Sequence, residues 1–190
     1  MFFKLKVSGQ EHLKNLSGPL LIIGNHKYFI DSFALGASLS FSSNLYPIRI
    51  MGAVDFFYDP VLEFLRKLGA IKIVYWVFSV FPAVKGRGLE EALKIPKRII
   101  EEGGVVFLHP EGQIIKGDDI GKFKRGAPGL ALAANAKILP VVFKRGEKHS
   151  KRDYIVKFGE VFIFPKNIAT PEQGAEYMRD IIVKLYKSLP

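Results

Sequence analysis

His26 and Asp31 are the residues of this 190-residue chain whose types and spacing point most directly to chemistry. The imidazole follows an apolar run, Leu20-Leu21-Ile22-Ile23, that ends in Gly24-Asn25. The carboxylate comes five residues later and opens the segment Ser32-Phe33-Ala34-Leu35-Gly36-Ala37. This pattern reads as a buried strand, a tight turn and a helix. It puts the histidine at a strand end, where α/β sheets form their sites, and the aspartate at the helix start. From there Asp31 can hold one ring nitrogen of His26 and leave the other as a base. That is the logic of a triad without a protein nucleophile. A plainer reading also fits: Asp31 as a helix N-cap and His26 as an ordinary turn residue.

The elements that must position this pair follow from the rest of the chain. Residues 1–18 read as an edge strand and connector, 20–23 as a strand and 32–40 as a helix. Tyr46 to Met51 reads as a second strand, and Asp59-Pro60 as a helix start running to Leu68. The stretch 71–84 reads as a buried strand and its loop. Its aromatic residues Tyr75, Trp76, Phe78 and Phe81 would alternatively form an exposed patch for lipid contact. Leu89–Glu102 is helical, and Val105–Leu108 is a short buried strand running into His109-Pro110-Glu111-Gly112. Pro128–Ala136 is an Ala-rich helix and Ile138–Phe143 another strand. Tyr154–Phe158 and Glu160–Phe164 read as an extended or hairpin pair. Thr170-Pro171-Glu172-Gln173 is a capping box that opens a final helix. Strands alternating with helices predict one α/β layered domain over residues 1–190, with a mixed, mostly parallel sheet flanked by helices.

Composition bounds the function. The chain is 48% hydrophobic and 13% aromatic, enough for a real core. The absence of cysteine removes disulfides, thiolate nucleophiles and cysteine metal sites together. With four histidines, His12, His26, His109 and His149, no histidine-rich metal centre is expected. A net charge of +10 predicts an acidic partner. No signal peptide is evident, and Ser32–Ile48, although uncharged, is too polar to span a bilayer. Contact with a membrane would therefore be peripheral. Gly86-Arg87-Gly88 fails the dinucleotide fingerprint, 117–123 fails the P-loop, and no Gly-x-Ser-x-Gly elbow is present.

What remains is an ordered set. It comprises Asn25-His26 with Asp31, Pro110-Glu111-Gly112 after a buried strand, Phe123-Lys124-Arg125-Gly126-Ala127, and Leu139-Pro140-Val141. In order and spacing the set resembles the glycerolipid acyltransferase family, such as the 1-acyl-glycerol-3-phosphate O-acyltransferases, over about residues 19–143. The stretch Val156-Lys157-Phe158-Gly159 is similar again. The resemblance implies the family's glycerol-3-phosphate acyltransferase-like fold and direct acyl transfer from a thioester, acyl-CoA or acyl-carrier protein, to a hydroxyl of a lysophospholipid. His26 would be the general base and Asp31 would fix its tautomer. No covalent acyl-enzyme and no cofactor beyond the donor would be needed. Backbone N–H groups near the helix start would serve the developing oxyanion. Glu111 and Gly112 match the acceptor-binding block.

The departures concern the acceptor phosphate. His109 stands where the family has Phe, and Gln113-Ile114 where it has Thr-Arg. The middle-block arginine has no clean match; Lys85 is nearest, with Arg87 two further on. Lys85, Arg87, Lys124 and Arg125 are therefore the candidate acceptor-binding cations. The partners expected are an anionic membrane surface, a lysolipid acceptor and an acyl-CoA or acidic carrier-protein donor, with no nucleic acid. The place expected is cytoplasmic, on the inner face of the cell membrane. Two alternatives stand beside this: a basic membrane- or nucleic-acid-binding module served by clusters such as Lys94/Lys97/Arg98, and a degenerate, non-catalytic homologue suggested by Ile114.

Overall fold

A computed structural model of the chain describes residues 4–52, 64, 67–69, 73, 76, 79–83, 86, 88–146 and 153–189. Its centre is a seven-stranded sheet. The strands in chain order are β1 (Lys4–Ser8), β2 (Leu20–Gly24), β3 (Ile48–Gly52), β4 (Val80–Pro82), β5 (Val105–Leu108), β6 (Lys137–Arg145) and β7 (Asp153–Phe158). Across the sheet they run β1-β7-β6-β2-β5-β3-β4. Every pairing is parallel except β6 with β7. The mixed, mostly parallel α/β sheet is thus as the alternation of elements predicts.

β2 lies between β5 and β6, and all five of its residues are buried. A strand covered on both faces has no solvent side, so its sequence is apolar without alternation. Odd and even residues of these strands feed two cores. On one face Leu21, Ile23, Val106, Leu108 and Val142 meet Leu93 and Ile100 of α2 (Gly88–Glu101), Leu130 of α3 (Gly126–Ala133), and Met178 and Ile182 of α4 (Pro171–Lys187). On the other, Leu20, Ile22, Phe107, Leu139, Phe143 and Tyr154 meet Ala34 and Leu35 of α1 (Asp31–Ala37). Among the described residues α1 is the only α-helix on that second face.

The capping box forms as read: Thr170 Oγ1 accepts from Gln173 N at 3.3 Å, and Gln173 Oε1 accepts from Thr170 N at 3.2 Å. Residues 160–164 do not form a hairpin with β7. Phe162 instead bridges Ile138 of β6 in antiparallel sense, because both edges of β7 are already occupied by β6 and β1. Phe81 is a core residue of β4, while Trp76 is exposed. Tyr75 and Phe78, most of the helix read from Asp59-Pro60, and the candidate cations Lys85 and Arg87 lie outside the described residues.

Candidate active site

The site lies where β2 and β5 end side by side. Asn25, the first residue past β2, continues the strand with its side chain. Its Nδ2 donates to Phe143 O at 2.9 Å, and its Oδ1 accepts from Phe143 N at 2.8 Å. The turn that carries His26 is thereby pinned to β6 before the helix begins.

His26 Nδ1 lies 2.9 Å from Asp31 Oδ2. Asp31 is wholly buried, and Oδ2 also accepts from Lys27 N at 2.7 Å and Tyr28 N at 2.9 Å. Its other oxygen accepts from the Tyr154 hydroxyl. Asp31 makes no N-cap bond: α1 is capped at Ile30, without a side-chain bond. The carboxylate turns back to gather the preceding turn. Four donors make it a well-solvated anion inside the protein. An ionised carboxylate only accepts, so the proton in the His26–Asp31 bond sits on Nδ1. Nε2 is then a lone pair on a side chain that keeps partial access to solvent. Burial, then the neighbouring Asp31, pushes the Tyr154 hydroxyl pKa far up, so it stays protonated as a donor. The N–H groups of Lys27 and Tyr28 are committed to Asp31, so a developing oxyanion needs donors other than these two.

Glu111 is 1% exposed, and both of its oxygens are used by main chain. Oε2 accepts from His26 N at 2.6 Å and Oε1 from Gly121 N at 2.8 Å. The residue expected on the acceptor is instead seen fastening the histidine's own backbone. Burial raises its pKa, and the two N–H bonds and Lys27 oppose that shift. Ile115 N adds a second tie, to His26 O at 2.8 Å. Lys27 is buried, with its ammonium on the carbonyls of Gly117 and Asp119 and 5.6 Å from the Tyr186 ring centre. Desolvation lowers its pKa, against the pull of Glu111, Asp118, Asp119 and Asp31.

Gly112 has φ +64°, a conformation that favours glycine. A Cβ there would lie 2.9 Å from Lys124 Nζ, so this ammonium rests against the Glu111-Gly112 turn. Arg125 points elsewhere, donating to Glu172 Oε1 of α4 at 3.2 Å. Ile114 is 47% exposed. Of the two predicted acceptor cations among the described residues, Lys124 lies against the Glu111-Gly112 turn and Arg125 does not.

His109 stacks on His26, with ring centres 3.9 Å apart and planes 9° from parallel. Its Nδ1 is 3.0 Å from Gly24 O, and its Nε2 is sealed from solvent without a partner. His26, Asp31 and His109 each offer a potential metal-ligand atom within 4.8 Å of the others. The stacked rings, however, direct their in-plane lone pairs side by side rather than toward one point. Burial, then repulsion from His26, pushes the His109 pKa down to about 4 from 6.5. Folding thus favours the neutral ring. The stability this preserves is complete above pH 6.5 and is lost as pH falls toward about 4, about 3 kcal/mol in all. His109→Phe keeps an aromatic plate and should flatten the acid limb of a melting-temperature curve across that window. Identical acid limbs in the two proteins would refute this.

Asn25, Lys27, Tyr154 and the stacking of His109 were not foreseen as parts of the site. Asn25 and His109 stand inside the quoted motifs, but Tyr154 reaches Asp31 from 123 positions away, where no local pattern points to it.

The arrangement defines an α/β protein with a buried carboxylate holding a histidine at a strand end. Comparison with known proteins narrows the class. Residues 4–144 match the family model described as Acyltransferase. A probable 1-acyl-sn-glycerol-3-phosphate acyltransferase of Mycoplasma genitalium is 32% identical over 65% of this chain and 43% of its own length. The chloroplast enzyme of that name from Arabidopsis thaliana is 25% identical over 74% of this chain and 36% of its own. The crystal structure of the 1-acyl-sn-glycerophosphate acyltransferase PlsC from Thermotoga maritima superposes with a TM-score of 0.69 over 97% of this chain and 71% of that one, at 16% identity, a likeness of fold. The chain belongs to the acyltransferase family. It spans less than half the length of the two curated relatives.

Proposed function

We propose that this chain is an O-acyltransferase that moves a fatty acyl group from a thioester, acyl-CoA or acyl-carrier protein, to a hydroxyl of a lysophospholipid or related lipid. The observation that carries the reading is the His26–Asp31 pair: a buried, four-fold bonded carboxylate fixes Nδ1–H and leaves Nε2 as the base. In the step proposed, Nε2 takes the acceptor hydroxyl proton as its oxygen attacks the thioester carbonyl carbon. The C–O bond forms, the C–S bond breaks, and the imidazolium returns its proton to the leaving thiolate. Asp31 stabilises the transient cation without moving. No covalent acyl-enzyme enters.

The acceptor follows from the cations. Ile114 cannot donate to a phosphate, and an unpaired phosphate in a partly dry site is costly. Lys124 beside Gly112 supplies a point charge rather than the bidentate fork of an arginine. Selectivity for a phosphate monoester is therefore loose, and the acceptor range is broader than, or different from, 1-acyl-glycerol-3-phosphate. The protein works at an anionic membrane surface on the cytoplasmic side, to which its charge of +10 draws it. Among the described residues, no helix is long and apolar enough to cross a membrane.

The test is a side-by-side assay with lysophosphatidic acid, lysophospholipids bearing larger headgroups, and non-phosphorylated hydroxy-lipids, each with both thioester donors. Transfer to several acceptors is expected, with Lys124→Ala weakening the phosphorylated ones most. Exclusive use of lysophosphatidic acid would refute the loose-selectivity reading. No transfer to any acceptor, despite lipid binding, would favour the non-catalytic homologue.

A further inference from the structure

Four residues spaced four apart, Phe29, Phe33, Ala37 and Phe41, run from the His26 turn along the outer side of α1 and past its end. Phe33 and Ala37 share one face of α1, with Phe29 in the turn before the helix and Phe41 in the turn after it. Ala34 and Leu35 point into the core, so the opposite side of the helix looks outward. Phe29 is 61% exposed, Phe33 47% and Phe41 101%, and the Phe29 and Phe33 rings lie 5.9 Å apart. Tyr28 and Tyr46 are exposed beside them. No Asp, Glu, Lys or Arg occurs from Ser32 to Ile48, in a chain that is 24% charged. Single exposed apolar residues need no explanation, but a contiguous row without charge does.

We infer that this stripe is the lipid-docking face of the protein, and that it seats the mouth of the His26 site on the membrane. Three observations select a lipid surface as the occupant. The stripe begins three residues after His26 and passes Asp31, so docking it brings the reactive turn to the lipid surface. The Ile115 amide bound to His26 O places exposed Ile114, and exposed Lys116 after it, beside the same histidine. The chain as a whole carries +10, which complements anionic headgroups around an inserted aromatic row. The loop residue expected to hold a phosphate, Ile114, thus belongs to an apolar rim instead. The purpose of the face rests on the lipid acyltransferase reading; its existence does not.

The experiment uses the full chain in a Trp76→Phe background, which removes the native tryptophan. Phe33→Trp reports on the stripe, and Glu101→Trp at the far end of α2 serves as control. Both are mixed with vesicles of equal parts phosphatidylglycerol and phosphatidylcholine carrying bromine high on the acyl chains. Quenching of the Phe33→Trp probe alone is expected. In unlabelled protein, Phe33→Gln/Phe41→Gln should weaken vesicle partition about 100-fold, from the apolar area of two aromatic rings. The variant should remain folded at the assay temperature, with its rate on short-chain, fully dissolved substrates unchanged. Equal quenching of both probes, or none, overturns the assignment even if acyl transfer is measured. So does self-association that shields the Phe33→Trp probe without lipid. Selective quenching by a protein with no transferase activity would leave the docking face standing and remove the enzymatic reading.

Discussion

Replacing His26 with Gln is expected to lower acyl transfer by about 10²–10⁴-fold, the usual worth of a general base, while the protein stays folded. Gln cannot accept a proton at neutral pH, so the acceptor hydroxyl must attack without deprotonation. The local structure should survive. Asp31 keeps three of its four donors, the amides of Lys27 and Tyr28 and the hydroxyl of Tyr154, and so is not stranded in the core. The backbone of residue 26 keeps its bonds to Glu111 and Ile115, which do not involve the imidazole. The loss should appear in kcat rather than KM, because the proton is abstracted in the transition state. The measurement is single-turnover transfer with melting curves on the same preparations. A variant that melts normally and transfers at the wild-type rate would remove His26 from the mechanism.

The parts of this site that could be read in the sequence are those set by local pattern. An unbroken apolar run ending in Gly-Asn-His gives a doubly covered strand and the place of its histidine, because covered strands must be apolar throughout. Thr170 and Gln173 give the start of α4 because a capping box closes within one turn. The pairing of His26 with Asp31 spans five residues and was equally legible. What was not legible depends on strand order. Asn25 meets Phe143, and Tyr154 meets Asp31, only because β6 and β7 are laid beside β2 in that sequence of neighbours. The hairpin reading of 160–164 failed for the same reason. The stretch makes a single bridge, Phe162 to Ile138 of β6, because both edges of β7 are already filled. His109 was visible as a replaced phenylalanine, while its use as a plate against His26 required the β2 and β5 ends to be adjacent.

Glu111 was legible as a motif residue while its contacts to the main chain were not, and its removal has the second large effect expected. Glu111→Ala takes the acceptor from two N–H groups at once, those of His26 and Gly121. Each buried donor left without a partner costs about 1–3 kcal/mol, so the variant should lose about 2–6 kcal/mol, against a typical total of about 5–15 kcal/mol. At about 2–4 °C per kcal/mol for a chain of this size, the melting temperature should fall by on the order of 10 °C. Glu111→Gln separates shape from charge. Its amide offers one acceptor oxygen and one NH2 group, so only one of the two N–H donors can be satisfied, and the other faces a second donor. It removes the cost of burying a carboxylate, the effect that raises the Glu111 pKa, and so should lie between wild type and Glu111→Ala in stability. Both variants weaken the hold on the His26 turn, leaving the Ile115 tie to His26 O in place, and both should lose kcat at temperatures where they remain folded. If Glu111 served the acceptor alone, each variant would melt like wild type and raise only KM. Melting curves together with the kcat and KM of the two variants decide between an anchor of the catalytic turn and a ligand of the substrate.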